Sequence, residues 1–364
     1  MIIAGIIAEY NPFHSGHRYH IEQTRLKSGA DAVVCVMSAS FVQRGQPSCF
    51  DKFARAEAAL KNGADMVLEL PAVYSLQGAE FFARGAVNIL KACGIITHIS
   101  FGTEAPVTPG QTDPEALRAA LDRGLPYSAA LMRGEKPNAL LGLEYMRAAE
   151  KSGWNVSFLQ IPRAGAGHDS TEDAEHLSAA CIRQRLSHGL PAPGLAMPAQ
   201  DFLEPEQMFV PLLCRLRTMS AARLAAISQV SEGLEYKFYE AARSAHSLDE
   251  LILSCKSKRY TYSRLARIAC CAFLDITQAM TDRANAAVPY IRVLGVKKQR
   301  RAELLSLLCS HASVPVCTCA ADFLRTAPDE AAAAFRAECN ATDLRAALLR
   351  QAAGSDFTRG LLLV

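Results

Sequence analysis

His14 and His17, separated by Ser15 and Gly16, stand a few residues beyond an uncharged run from Ile2 to Ala8. Imidazole N–H groups can donate to phosphate oxygens as negative charge builds at phosphorus, and a glycine between them lets the backbone approach a ligand closely. Nucleotidyl transfer needs that positioning and electrostatic support more than it needs covalent chemistry. The uncharged run lacks the alternation of a strand with one wet face, which predicts a buried parallel strand. After a polar turn with Asn11 and Pro12, the pattern from His17 through Gln23 is helical. Strand, tight loop and helix N-terminus bring backbone N–H groups and the positive end of a helix dipole beside two imidazoles, a corner that suits a polyphosphate. The bland role for the same pair is one histidine capping the helix and the other in solvent.

Further polar loops follow other strand candidates. Ser38 to Gly45 sets a basic group, Arg44, after a small-residue turn. In Ser100-Phe101-Gly102-Thr103-Glu104, Gly102 would let a flat base or ribose lie against the backbone. Arg163 flanks Gly165 and Gly167, which could wrap phosphates, although a lone Gly-x-Gly is a weak signal. Ser178 can cap a helix that carries Arg183, and Asn138, just before an apolar helical stretch, equally suits an N-cap.

The elements that would position these loops alternate along the first half. Strand candidates at 2–8, 32–37, 66–70, 98–101 and 156–161 are separated by helical patterns at 52–61, 75–92, 114–123 and 139–151. Repeated βα implies an α/β fold, a doubly wound, Rossmann-like parallel sheet with ligands beyond the strands' carboxyl ends. The stretch 188–206 carries Pro191, Pro193, Pro198 and Pro205 and reads as a crossing between domains. Beyond it the pattern is helical at 207–227, 233–244, 248–254, 261–279, 297–309 and 328–351. The expected organisation is a nucleotide-binding domain at 1–190, a linker at 191–206 and a mainly helical domain at 207–364.

At 364 residues, two domains are the better expectation, and the formal charge of +3 leaves nucleic-acid affinity to local clustering. No apolar run approaches the ~20 residues of a membrane span, and the start has no basic region or small-residue cleavage site, so a soluble cytoplasmic protein is expected. The twelve cysteines form no C-x-x-C pairs and read as reduced thiols; no metal-ligand set is visible. From Lys256 to Arg301 there are eleven basic and two acidic residues, a formal +9 that marks a candidate RNA-contacting stretch. Lys258, Arg259, Arg292, Lys297, Lys298, Arg300 and Arg301 are its candidate contacts. Tyr260, Tyr262 and Tyr290 could stack on unpaired bases, with core packing the better expectation for each.

Glu9-Tyr10-Asn11-Pro12-Phe13-His14-Ser15-Gly16-His17, Phe41-Val42-Gln43-Arg44-Gly45, Ser100 to Glu104, Pro137-Asn138 with Leu141 to Tyr145, Gly165-Ala166-Gly167, Lys258 to Thr261 and Tyr290 to Gly295 together resemble the bacterial tRNA(Met) cytidine acetate ligases. The resemblance covers nearly the whole chain. It implies an HxGH nucleotidyltransferase that activates acetate with ATP, accompanied by Mg2+, and acetylates N4 of the wobble cytidine of elongator tRNA(Met). It implies ATP contacts from the loop Gly5 to His20 (Ile7, Asn11, Pro12, Phe13, His14, Gly16, His17 and His20) and from Gly102, Asn138, Arg163, Ser178 and Arg183, with His14 and His17 catalytic. The chain departs from the pattern at Ala39-Ser40, His168-Asp169 and Ala180. Oligomeric state is left open. Two other classes share the histidine motif: an adenylyltransferase of a small phosphorylated metabolite, which has no need of a basic helical half, and a non-catalytic RNA-binding protein with a decayed pocket, against which intact His14, Gly16 and His17 argue.

Overall fold

The uncharged stretches of the first half become inner strands, because a strand covered on both faces has no use for polar side chains. The structure, a computed structural model, describes residues 1–108, 115, 118, 119, 137–162 and 177–364. Ile3–Ala8 (β1) leads into helix Ser15–Ser28 (α1) and Ala32–Ser38 (β2). A short hairpin, Phe41–Val42 (β3) and Gln46–Pro47 (β4), precedes Lys52–Lys61 (α2), Met66–Leu70 (β5), Ala72–Ser75 (α3), Ala79–Ala92 (α4) and His98–Thr103 (β6). Pro137–Lys151 (α5), Ser157–Pro162 (β7) and Ala179–Ser187 (α6) complete this half.

β1 pairs in parallel with β2 on one side and β6 on the other. The chain therefore runs outward through β2 and β5, then returns past β1 to build β6 and β7. The order in which strands are added reverses between β1 and β6, and the crevice beyond their carboxyl ends is where such sheets bind ligands. α4 covers one face: Phe82, Ala83, Ala86, Val87, Ile89 and Leu90 recur with helical period and are buried in the core with β1, β2 and β5. The helix expected at 75–92 is interrupted at 76–78, where the Leu76 carbonyl accepts from Gln229 Nε2 at 2.7 Å.

The second half departs from the expected division. Helices Phe209–Thr218 (α7), Ala221–Ala225 (α8), Leu234–Ser244 (α9), Leu248–Cys255 (α10) and Tyr262–Leu274 (α11) share a core that includes Leu212, Phe238, Leu251 and Ile268, while Gln278–Ala286 (α12) packs Ala284 against the core of the sheet. The helix expected at 261–279 stops at Asp275, in the left-handed region at φ 61°, and Thr277 caps the next one. Ile291–Val296 (β8) then rejoins the sheet antiparallel to β5. Arg301–His311 (α13), Val316–Cys317 (β9), Ala320–Thr326 (α14), Asp329–Leu348 (α15), Ser355–Thr358 (α16) and Leu362–Leu363 (β10) follow, with β9 and β10 both paired to β8. β8, β9 and β10 thus join the sheet of the first half, while Ala341 and Leu348 of α15 pack into the core of the preceding helices. All twelve cysteines are unpaired and nine are buried.

β8 escapes notice because of Arg292, whose charge lies within an otherwise apolar run. Its Nη1 lies 2.6 Å from Asp356 Oδ1 and its Nε 3.4 Å from Glu69 Oε2. Lys52 Nζ reaches the same carboxylates at 2.8 and 3.2 Å. The cluster ties α2, β5, β8 and α16 together. Glu338 of α15 lies beside it and accepts from the Ala72 N–H at 2.6 Å. Burial, reinforced by the Glu69 carboxylate, pushes its carboxyl up to about 8.

The folded chain thus holds a proton at Glu338 that the unfolded chain, with its carboxyl near 4.5, releases. Stability from this group is complete below the unfolded value and declines as pH rises toward 8. Glu338→Gln should flatten that decline in melting temperature between about pH 5 and pH 8, and an unaltered slope would contradict the protonated state.

Candidate active site

The loop after β1 is held by a buried guanidinium. Arg55, on α2 and fully enclosed, donates from Nη1 to the carbonyls of Glu9 (2.7 Å) and Ser38 (2.8 Å), from Nε to Phe50 O (3.0 Å) and from Nη2 to Ala39 O. It therefore joins the loops beyond β1 and β2, and burial pushes its own pKa down to about 10. Asn11 Oδ1 accepts from Cys49 N (2.7 Å), the Asn11 carbonyl from Arg183 Nη1 (2.5 Å), and Glu9 Oε1 from Gln43 N (2.6 Å). The proline-rich stretch expected as a linker lies against the loop from outside: Ser15 N donates to Gly194 O at 2.8 Å and Ala196 N to Phe13 O at 3.2 Å. Gly194 has φ +82°, which a side chain would adopt only with strain.

Within this frame the two histidines cap α1 reciprocally. His14 Nδ1 accepts from Gly16 N at 3.1 Å, and His17 Nδ1 accepts from His14 N at 3.3 Å. A neutral imidazole that accepts at Nδ1 carries its proton at Nε2, so both rings are Nε2–H donors. Their centroids lie 3.8 Å apart, and the His17 ring packs 4.8 Å from that of Tyr10. Capping and ligand binding, alternatives in the sequence, use opposite nitrogens here and are compatible.

A cavity of about 300 Å³ opens at the reversal point. Ile7, Asn11, His14, Gly16, His17, His20, Gly102, Asn138, Ser178 and Arg183 all line it. Pro12 and Phe13, also expected as contacts, are buried beneath the loop and do not reach it. Arg163 lies outside the described residues, as do Gly165, Gly167 and His168-Asp169. His20 Nε2 shares a hydrogen bond with Ser100 Oγ (3.0 Å), the Asn138 amide donates to Glu104, and Ser178 caps α6 by accepting from Cys181 N (3.2 Å). Sequence reading missed the apolar wall of Leu141, Tyr145 and Phe82. Leu141 and Tyr145 follow Asn138 by three and seven residues, one helical face, which is the signal that could have found them. Gly142 lets that helix approach β6, since a Cβ there would sit 2.3 Å from the Phe101 ring.

The basic stretch does not form one surface. Arg292 is buried in its carboxylate cluster, which corrects its assignment as an RNA contact: the charge is neutralised inside the protein and no phosphate can reach it. Arg300 pairs with Glu303 (2.7 Å) and donates to Asp31 O (2.5 Å), while Lys297 N donates to Asp65 O. Asp31 and Asp65 lead into β2 and β5, so Lys297, Lys298, Arg300 and Arg301 sit at the amino-terminal edge of the parallel strands. A strand of β1's length separates them from the histidines by about 20 Å. Lys258 and Arg259 are exposed just before α11, and Arg259 pairs with Glu232 at 2.6 Å. Farther along α11, Arg267 Nη1 donates to Gln43 O at 3.4 Å, next to Arg44 at the cavity. Tyr260 and Tyr290 are buried, and Tyr262 is partly exposed.

The model of the family described as HIGH Nucleotidyl Transferase matches residues 1–358. The chain is 40% identical to the tRNA(Met) cytidine acetate ligase of Latilactobacillus sakei, covering 81% of this chain and 82% of that protein. It is 33% identical to the enzyme of the same name from Syntrophomonas wolfei over 98% of both. Among solved structures, Thermotoga maritima TmcAL bound with alpha-thio ATP superposes with a TM-score of 0.87 at 30% identity over the whole of both chains.

Arg55→Met would strand at least three buried carbonyls at ~1–3 kcal/mol each. It should lower unfolding free energy by roughly 3 kcal/mol or more, measured by urea denaturation; a loss under about 1 kcal/mol would show that the loops do not depend on the guanidinium.

Proposed function

The chain belongs to the HIGH nucleotidyl transferase family and, within it, to the tRNA(Met) cytidine acetate ligases, and we propose that it activates acetate with ATP and acetylates N4 of the wobble cytidine of elongator tRNA(Met). The observation that carries this reading is the reciprocal cap, which presents two Nε2–H donors and a helix N-terminus at the reversal point of the sheet. An acetate oxygen, already ionised near neutral pH, attacks the α-phosphorus, and diphosphate leaves. The imidazole N–H groups and the dipole of α1 stabilise the negative charge that grows on the phosphoryl oxygens. The cytidine N4 then attacks the acetyl carbon of the adenylate, AMP departs, and the amine loses a proton. Leu141, Tyr145 and Phe82 offer an apolar wall against which water can be excluded from the mixed anhydride.

Asn138 and Gly102 serve the adenosine in this reading, and Arg183 and Ser178 the phosphates. Magnesium accompanies ATP on the triphosphate oxygens as part of the substrate. The tRNA crosses the cavity mouth on the side of Arg44, with Lys258 and Arg259 taking backbone phosphates; Lys297, Lys298, Arg300 and Arg301, on the opposite edge, contact only a more distant part of the molecule. No helix of the described residues is long and apolar enough to cross a membrane, and a tRNA substrate supports a cytoplasmic enzyme in this reading.

His17→Ala should reduce acetate-dependent exchange of diphosphate into ATP by ~10²–10³-fold while tRNA affinity is retained. Gly16→Ala, whose Cβ would lie 2.9 Å from His14 Cε1, should act in the same direction by displacing that ring. Exchange unchanged in both would refute the phosphate role. Replacing Lys258 and Arg259 with Ser should flatten the salt dependence of tRNA binding more than the same change at Lys298 and Arg301; the reverse order would place the RNA on the other edge.

A further inference from the structure

A second cavity, of about 340 Å³, shares no lining residue with the nucleotide pocket. Its walls include Ser40 and Asp51, which bracket the stretch that supplies Gln43 and Arg44 to that pocket, and Thr342, Arg345 and Arg359 from the C-terminal return. Three arginines are buried among the described residues. Arg55 is matched by carbonyls and Arg292 by two carboxylates. Arg345 is matched by neither set in full. Its Nε donates to Ser48 O (2.9 Å) and Ser48 Oγ (3.1 Å), but its Nη2 is buried without a hydrogen-bond partner among the described residues, and no carboxylate pairs with it there.

A guanidinium held in low dielectric without a counter-ion is costly, and an anion in the adjoining cavity would supply the missing charge. Bidentate donors of this kind fit phosphate oxygens. Arg359, half-exposed, adds a second positive group where the cavity meets solvent; it rests over the Phe53 ring and reaches Asp51 Oδ2 at 3.1 Å. The Ser40 hydroxyl on the cavity wall donates to Thr342 Oγ1 at 3.2 Å, and Thr342 Oγ1 to the Glu338 carbonyl at 3.2 Å. The volume lies at the lower end of the range for small-ligand pockets.

We propose that this cavity binds a small phosphate-bearing anion, seated on Arg345 and gated by Arg359. The site is separate from the nucleotide pocket and does not depend on the reaction assigned to it.

The test titrates inorganic phosphate and, separately, diphosphate calorimetrically into the full chain whose nucleotide pocket is saturated with a non-hydrolysable ATP analogue. One anion should bind per chain, Arg345→Gln should weaken it by roughly 10- to 100-fold, and the exposed change Arg359→Ser by about 3- to 10-fold. Should Arg345→Gln fail to fold, Arg359→Ser and tungstate soaked into crystals of the wild-type chain decide, with density expected against the Arg345 guanidinium. No saturable binding of either anion, affinity unchanged in the folded variants, or tungstate found only at the histidine pocket would overturn the site.

Discussion

Two imidazoles accept backbone N–H groups at Nδ1, and that constraint sets the character of the site. A histidine free in a loop exchanges tautomers. His14 and His17 are instead locked by the first turn of the helix they cap, which leaves Nε2 as the donor in each. The same turn contributes the positive end of its dipole. Two side-chain donors and a helix dipole are thereby aimed by a single local structure, with little left to reorganise when charge develops on a phosphate.

That turn is anchored by charges buried beside it. Arg55 gathers carbonyls from the segments beyond β1 and β2. Behind it, Lys52, Glu69, Arg292 and Asp356 connect the same helix to β8 and to the C-terminal return. Buried ion clusters add little net stability compared with apolar packing, but each member is costly to remove. Their effect here is positional: residues from both ends of the sequence are required to complete the floor of one loop.

The parallel half of the fold was legible because buried strands and amphipathic helices carry strong local periods. Five strand candidates and the HxGH corner lie where periodicity and the Gly16 spacing put them. The return of β8 was not legible: a single arginine broke the apolar run, and only its distant partners Glu69 and Asp356 explain how such a residue is tolerated. The short hairpin around Arg44 and the bracing by Gly194 depend on long-range backbone contacts that leave no local signature. The basic segment misled for a related reason. Charge summed along a chain says nothing about direction, and here helix, buried strand and opposite sheet edge divide one cluster among three places.

The most direct measurement of the central idea is the nitrogen NMR spectrum of the chain labelled at histidine. At neutral pH both His14 and His17 should show the tautomer protonated at Nε2, and addition of ATP should shift those N–H resonances while leaving Nδ1 unprotonated. Nδ1-protonated rings, or Nε2 signals indifferent to the nucleotide, would contradict the account.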